Sequence, residues 1–415
     1  MSETPAPPVN EKALARRVKD HVVGRRQEFF AVVHPGFESV ALGELAGLGI
    51  AALARDSGGI VFQGKLDDAW RVNLGAGTVS RLLMRLGEFK ATGFGEFRSK
   101  LAALPWELHL ADRARVAFSV SAGRSRLWHE GKLEEEAERA IAARLAAYGR
   151  SAEFSAAAGP DHEGGQTVFL RLDENRCQAS LDSSGPLLYR RGRGKFTEQA
   201  PLRETLACGV LRAAGIERYR VVLDPFCGSG TFALEAGAIL AGRLVNADRA
   251  FAFQGWPSYR PAHFQHLKGE LEKTFREKAP TGARKIYCSD LDAGAVTTAA
   301  HNVELAGLGS LVEIDQADFF HLHPPAANPA DVLLVMNPPY GARQEQGADL
   351  AAFYRRIGEK VRRDYAGCGH AIIVPGLELE KALGLPHEQK ILFHNGGISV
   401  ALLIKHSVQG RKLPA

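Results

Sequence analysis

Cysteine is scarce in this sequence and never closely paired. The 415 residues hold five (Cys177, Cys208, Cys227, Cys288, Cys368), with no C-x-x-C among them. That spacing argues against a zinc ribbon, a dithiol redox motif or a secreted disulfide framework, and it fits a reducing, cytoplasmic setting. Long apolar runs are missing too. Runs such as 332–336 and 400–404 have strand length and fall far short of the ~20 residues of a membrane-spanning helix. The start, MSETPAPPVNEK, lacks the basic and apolar stretches of a signal peptide. It is polar and proline-rich, and residues 1–27 are expected to form a disordered tail. A large charge of one sign is also absent: 52 Lys and Arg against 47 Asp and Glu leave +5. That excess permits a nucleic-acid partner without demanding one.

The distribution of charge says more than its sum. Residues 301–350 hold seven acidic side chains and one basic, Arg343, whereas 190–195 (RRGRGK) holds four basic side chains in six. Length sets a soft prior of about three domains at ~150 residues each, enough to bury a sizeable core without staples. Residues 28–90 read as a small α+β unit. EFFAVVHPGF is a strand ending in a Pro-Gly turn. ESVALGELAGLGI is a helix with Val40, Leu42, Leu45 and Leu48 on one side, and GGIVFQG and SRLLMRLGEFKA are strands. In 91–185, RVAFSVSAG alternates as a half-buried strand. KLEEEAERAIAARLAAYG is a helix with Leu133, Ala137, Ile141, Leu145 and Tyr148 inward. Its acidic opening is not expected to grip phosphate. QTVFLRLDENRCQASLDSSG is two strands about a turn at 173–175.

Residues 186–199 read as a basic linker. From 200 to 407 the pattern becomes βαβ alternation, which implies an α/β fold with a mostly parallel, doubly wound sheet. It ends in a hairpin across 395–397. Residues 243–284 interrupt this rhythm as an insertion, and 408–415 are a tail.

Two motifs carry chemistry. In LDPFCGSGTF (223–232) a buried strand delivers Asp224 to a glycine turn from which a helix starts. Gly228 and Gly230 allow positive φ and close backbone approach to a ligand. The G-x-G-x-x-A spacing matches a dinucleotide fingerprint, yet Asp224 inside the turn would repel a pyrophosphate and suits a cationic or amino-bearing ligand. Asp290, ending the strand YCSD, is the preferred ribose acid over Asp248; a helix N-cap is its bland alternative. In NPPYG (337–341), after the strand DVLLVM, the Asn337 oxygen and the Pro338 carbonyl can accept from an exocyclic amine, and Tyr340 can offer a stacking face. A plain proline turn is the competing reading.

DPFCGSGT followed by NPPY resembles class I S-adenosylmethionine-dependent methyltransferases acting on exocyclic amines of bases. EFFAVVHPGFESVALGEL, RVAFSVSAGRSRLWHEGKLEEEAERAI, ASLDSSGPLLYRRGRG and APLRETLA are similar to blocks of the THUMP-bearing RNA guanine-N2 methyltransferases. The resemblance covers about 28–407. It implies a ferredoxin-like domain at 28–90, a THUMP-like RNA-binding domain at 91–185 and a Rossmann-like methyltransferase domain at 200–407. It places Asp224, Phe226, Gly228, Ser229 and Gly230 around S-adenosylmethionine, Asp290 on the ribose, Leu291 by the adenine, Asp318 on the adenine amine and Phe319 beside it. Asn337, Pro338 and Tyr340 would hold the target base. The partner implied is RNA, with 23S ribosomal RNA ahead of tRNA, and no obligate protein partner is evident. Arg190, Arg191, Arg193 and Lys195 are candidates for phosphate contacts. Some relatives carry a second methyltransferase domain, which this chain is expected to lack.

In-line transfer of a sulfonium methyl to guanine N2 needs no metal and no covalent enzyme intermediate. Three rivals stay open: an adenine-N6 or cytosine-N4 methyltransferase, an NAD-dependent oxidoreductase using the glycine turn, and a non-catalytic RNA-binding protein with a decayed methyltransferase fold.

Overall fold

The computed structural model describes residues 11–56, 58–155, 165–192, 194–196, 202–340 and 349–407. Two compact units form. One lies within Met1–Val33, Glu44–Arg190 and Arg249–Glu270, the other within His34–Gly43, Arg191–Asp248 and Leu271–Ala415.

The first unit opens with α1 (Glu11–Val18), so the expected disordered tail does not hold from residue 11 onward. Leu14, Val18 and Val22 recur every fourth residue and are all buried, which is the spacing of one helix face. The polar residues between them hid that stripe. There follow β1 (Gln27–Val33), the end of α2 (Glu38–Gly47), β2 (Ala52–Asp56), β3 (Gly59–Gly64), α3 (Leu66–Gly75) and β4 (Val79–Lys90). Then come α4 (Phe94–Ala102), β5 (Ala114–Gly123), α5 (Glu130–Ala146), β6 (Ala152–Phe154), β7 (Gln166–Asp173) and β8 (Arg176–Asp182).

All eight strands form one sheet in the order β2-β3-β1-β4-β8-β7-β5-β6. Strand β4 is the reason. Its first part pairs with β1 and its later part with β8, so segments read separately as 28–90 and 91–185 share a sheet. The β2-β3-β1-β4 half, with α2 and α3 between its strands, is ferredoxin-like. The turn joining β7 to β8 has positive φ at Glu174 (49°) and Asn175 (63°), as a tight hairpin requires.

Part of the insertion also belongs to this unit. The Trp256 indole N–H donates to Gln166 Oε1 at 2.7 Å, Gln166 Nε2 donates to the Ala252 carbonyl at 2.8 Å, and Phe253 stacks on Trp70.

The second unit contains α6 (Glu204–Ala213), β9 (Val221–Asp224), α7 (Thr231–Leu240), the end of α8 (Pro261–Lys278), β10 (Lys285–Asp290), α9 (Ala293–Leu305) and β11 (Val312–Gln316). It continues with β12 (Val332–Met336), α10 (Leu350–Asp364), β13 (Gly369–Pro375), α11 (Gly376–Leu383), β14 (Gln389–Asn395) and β15 (Ile398–Lys405). Its sheet runs β11-β10-β9-β12-β13-β15-β14. The first five strands are parallel, and β15 and β14 close the edge antiparallel.

Every residue of β12 is buried, as expected of a parallel strand covered on both faces. Tyr354, Ile357 and Val361 of α10, and Tyr365 just past its end, pack in one core with it. From β9 the chain moves to β10 and β11 on one side, then to β12 and β13 on the other. The order therefore reverses between β9 and β12, where open α/β sheets bind ligands at their carboxyl ends. Among the described residues no helix is long and apolar enough to cross a membrane.

Candidate active site

Four strands deliver the candidate residues to this edge. Asp224 ends β9, Asp290 ends β10, Asp318 follows β11 and Asn337 follows β12. Leu223 pairs with Leu334 and Cys288 with Asp224. Asn337 and Asp290 therefore stand about two residues, roughly 7 Å, further along their strands than Asp224.

Asp224 is fully buried. Its Oδ1 accepts from the Phe226 N–H at 3.3 Å, while Oδ2 has no hydrogen-bond partner among the described residues. Burial, offset only in part by that N–H and reinforced by the nearby Asp290 charge, pushes its carboxyl up to about 8. Asp290 is better satisfied. Its Oδ2 accepts from Gly228 N–H at 2.9 Å and its Oδ1 from Asp292 N–H at 3.1 Å. The cap of α9 is Asp292, which accepts from Gly294 N–H at 2.7 Å, so the bland N-cap reading of Asp290 does not hold. Each Asp290 oxygen keeps a lone pair for a ligand hydroxyl.

The turn between them is built for close approach. Gly228 has φ of 51°, and a Cβ there would meet nothing within 4 Å. Gly230, with φ of 82°, begins α7 and lies against Ala299 of α9. Among the described residues, buried oxygens without partners stand at these strand ends and in this turn: Asp224 Oδ2, Ser229 Oγ, Ser289 Oγ and Asn337 Oδ1. Since an unmet buried polar group costs about 1–3 kcal/mol, such a cluster at a sheet's carboxyl edge is what a polar ligand would satisfy. The adjoining wall is aromatic. Phe226 sits 5.5 Å from Phe319 and 6.1 Å from Phe353, ring centre to ring centre. Leu291 is 70% exposed at the end of β10, and Asp318 Oδ1 accepts from Phe320 N–H.

Several expectations need correction. Phe319 is a core side chain, stacked on Tyr365 and almost without exposed surface. Tyr340 is 7% exposed and its hydroxyl accepts from Asn395 Nδ2 at 2.7 Å, so it presents no open stacking face. Pro338 is buried as well.

The basic linker changes most. Arg191 is buried and donates to both oxygens of Glu235 at 3.1 and 2.8 Å and to Asn246 Oδ1 at 3.2 Å. Lys195 Nζ donates to Glu204 Oε1 at 3.0 Å and Thr231 Oγ1 at 2.6 Å. Neither is disposed to meet phosphate, because each is held by a buried carboxylate. Arg190 is exposed beside the Tyr189 ring, and Arg193 lies outside the described residues. Arg191→Ala would strip the buried Glu235 carboxylate of its guanidinium, which typically costs about 3–5 kcal/mol. The expected outcome is a large drop in the denaturation midpoint, not a selective loss of RNA affinity.

One residue escaped sequence reasoning altogether. Asn302 of α9 donates to the carbonyls of Phe196 and Ser229, both at 2.9 Å, and accepts from Phe196 N–H at 2.9 Å. It thereby ties 195–196 to the glycine turn. A buried Asn on a helix face was the available signal.

This geometry fits S-adenosylmethionine better than a dinucleotide, since two carboxyl groups flank the turn where a pyrophosphate would sit. Comparison with known proteins agrees. Residues 191–403, just over half of the chain, match the family described as RMKL-like, methyltransferase domain; residues 28–83 match the RlmL ferredoxin-like domain. A ribosomal RNA large subunit methyltransferase K/L of Syntrophotalea carbinolica is 30% identical over 385 residues, 91% of this chain and 53% of that protein. A Synechocystis sp. protein provisionally named as an RNA methyltransferase is 28% identical over 380 residues, 90% of this chain and 95% of that protein. The chain spans about half the length of the K/L relatives it matches. In fold it is similar to a solved protein, provisionally assigned as a methyltransferase and complexed with SAH, with TM-score 0.80 and 24% identity over 94% of this chain and 100% of that one. The chain belongs to the RMKL-like methyltransferase-domain family.

Proposed function

We propose that this chain is an S-adenosylmethionine-dependent RNA methyltransferase that forms N2-methylguanosine, with large-subunit ribosomal RNA as its substrate. The observation that carries the reading is Asn337 Oδ1, buried and, among the described residues, without a partner, one strand away from Asp224 Oδ2 in the same condition. Two unmet acceptors on adjoining strands suit two amine-bearing ligands, a cofactor and a base. The names of the K/L relatives favour ribosomal RNA.

When bound, S-adenosylmethionine supplies an electrophilic sulfonium methyl group. The chain does the rest. Asp224 accepts from the cofactor's ammonium group, and Asp290 accepts from its ribose hydroxyls. Leu291 packs beside the adenine, and Asp318 accepts from the adenine amine. The open space at Gly228 lets the backbone approach. Asn337 Oδ1 and the Pro338 carbonyl accept from the guanine N2 amine. That aims the nitrogen lone pair and withdraws it from the ring, so positioning supplies most of the rate. The base must be unpaired or flipped out to reach them. Tyr340, held by Asn395, fixes the turn that carries Asn337. Residues 91–185 are the THUMP-like RNA-holding region in this reading, with Arg190 as the remaining linker contact.

The reading is tested by transfer of labelled methyl from S-adenosylmethionine to large-subunit ribosomal RNA, tRNA and DNA in parallel. Label on the ribosomal RNA supports it; label on DNA alone overturns it.

A further inference from the structure

The sequence has four tryptophans. Trp70, Trp106 and Trp256 are 3%, 0% and 4% exposed, whereas Trp128 is 63% exposed. Its indole lies 3.7 Å from the His129 ring, near-parallel at 26°. One face is thus covered, and the exposed area belongs to the other face and the edges.

The loop that carries Trp128 is fastened on both sides. Arg124 holds Asp173 through two contacts, at 3.0 and 2.5 Å. Arg126 N–H donates to Asn175 Oδ1 at 2.8 Å, and Asn175 N–H donates to Ser125 Oγ at 2.9 Å. Leu127 is buried, and α5 starts just beyond His129. A large apolar ring held out on a braced loop contributes little to the core, and its ordering cost is already met before any partner arrives.

We propose that the Trp128–His129 stack is a platform for an unpaired RNA base, with Arg126 and Arg171 answering the flanking phosphates. This rests on the RNA reading above. Arg126 and Arg171 are exposed, and Arg171 stands on β7 opposite Ser121 near the end of β5. Of the residues flanking Trp128 in sequence, Arg124, Arg126, His129 and Glu130 are exposed and polar, and Leu127 is buried. A protein partner would have to seat this anchor in a well-packed pocket ringed by contacts that exclude water; a base needs only the π face. The acidic face of α5 turns phosphate away from the helix and leaves the loop as the place of contact.

Because the other tryptophans are buried, acrylamide quenching of the full chain reports chiefly on Trp128. Short single-stranded RNA is expected to shield the quenchable emission, and the same sequence as a duplex to shield it less. Trp128→Ala should weaken single-stranded RNA binding by about 5-fold to 150-fold, with unchanged melting temperature and S-adenosylmethionine affinity. Trp128→Phe should keep most of the binding. Wild type that methylates RNA while its quenching and the Trp128→Ala affinity stay unchanged overturns the platform alone. Wild type that neither binds nor methylates RNA overturns the RNA reading and the platform with it.

Discussion

Asn337→Ala is expected to slow methyl transfer by about a hundredfold to a thousandfold, the usual effect of removing one preorganised polar group that acts on developing charge. The melting temperature and cofactor affinity should hardly move. The reason is the unmade bond. Asn337 Oδ1 has no partner within the described chain, so truncation breaks no internal hydrogen bond there and removes a buried group that costs stability. The backbone of the turn stays fixed by Pro338 and by the Asn395–Tyr340 hydrogen bond. Single-turnover rates, calorimetric cofactor binding and thermal melts on the two proteins separate the three effects. A variant that transfers methyl at the wild-type rate removes Asn337 from the chemistry.

The second large effect concerns Asp224→Asn and has two opposite parts. In the ligand-free chain burial pushes Asp224 up to about 8, against an ordinary value of ~4. Between those values the folded protein keeps a proton that the unfolded chain has released. The unfolded state then binds fewer protons, so stability falls as pH rises through this window. Asparagine does not titrate. The variant should be more stable than wild type near pH 8, by on the order of a few kcal/mol, and the gain should vanish near pH 4. Cofactor binding should move the other way. A ligand ammonium group needs the ionised carboxylate, so wild-type affinity should climb about tenfold per pH unit towards pH 8 and fall again as the ligand's own α-amino group loses its proton. Asp224→Asn should bind weakly with no such slope. Melts and titration calorimetry across pH 6 to 9 read both parts. A pH-independent wild-type affinity would contradict the assigned role.

Much of the catalytic sheet was legible because its strands are short apolar runs and its turns carry their own chemistry. VLLVM is buried throughout, as a parallel strand between two helical layers must be. Gly396 and Gly397 both take positive φ in the last hairpin, as the dipeptide announced. Asp224, Asp290 and Asn337 could be placed because each ends or directly follows such a strand. What stayed hidden depends on contacts distant in sequence. Basic residues in a Gly-rich stretch read as solvated, yet Arg191 is matched by Glu235, 44 residues away, and Lys195 by Thr231 and Glu204. Tyr340 reads as a stacking face only until Asn395 of β14 is brought to it. The insertion hid its place because it packs Phe253 and Trp256 on partners far earlier in the chain, although Phe264, Leu267 and Leu271 of α8 do recur at helical spacing. The first helix was masked by the polar residues around Leu14, Val18 and Val22.

Asn337 and Pro338 are proposed to present a guanine N2 amine for methylation. Digestion of the labelled large-subunit ribosomal RNA to nucleosides, with mass-resolved separation, tests it most directly. The label should run as N2-methylguanosine and be lost from RNA treated with Asn337→Ala. Label in N6-methyladenosine or N4-methylcytidine would contradict it.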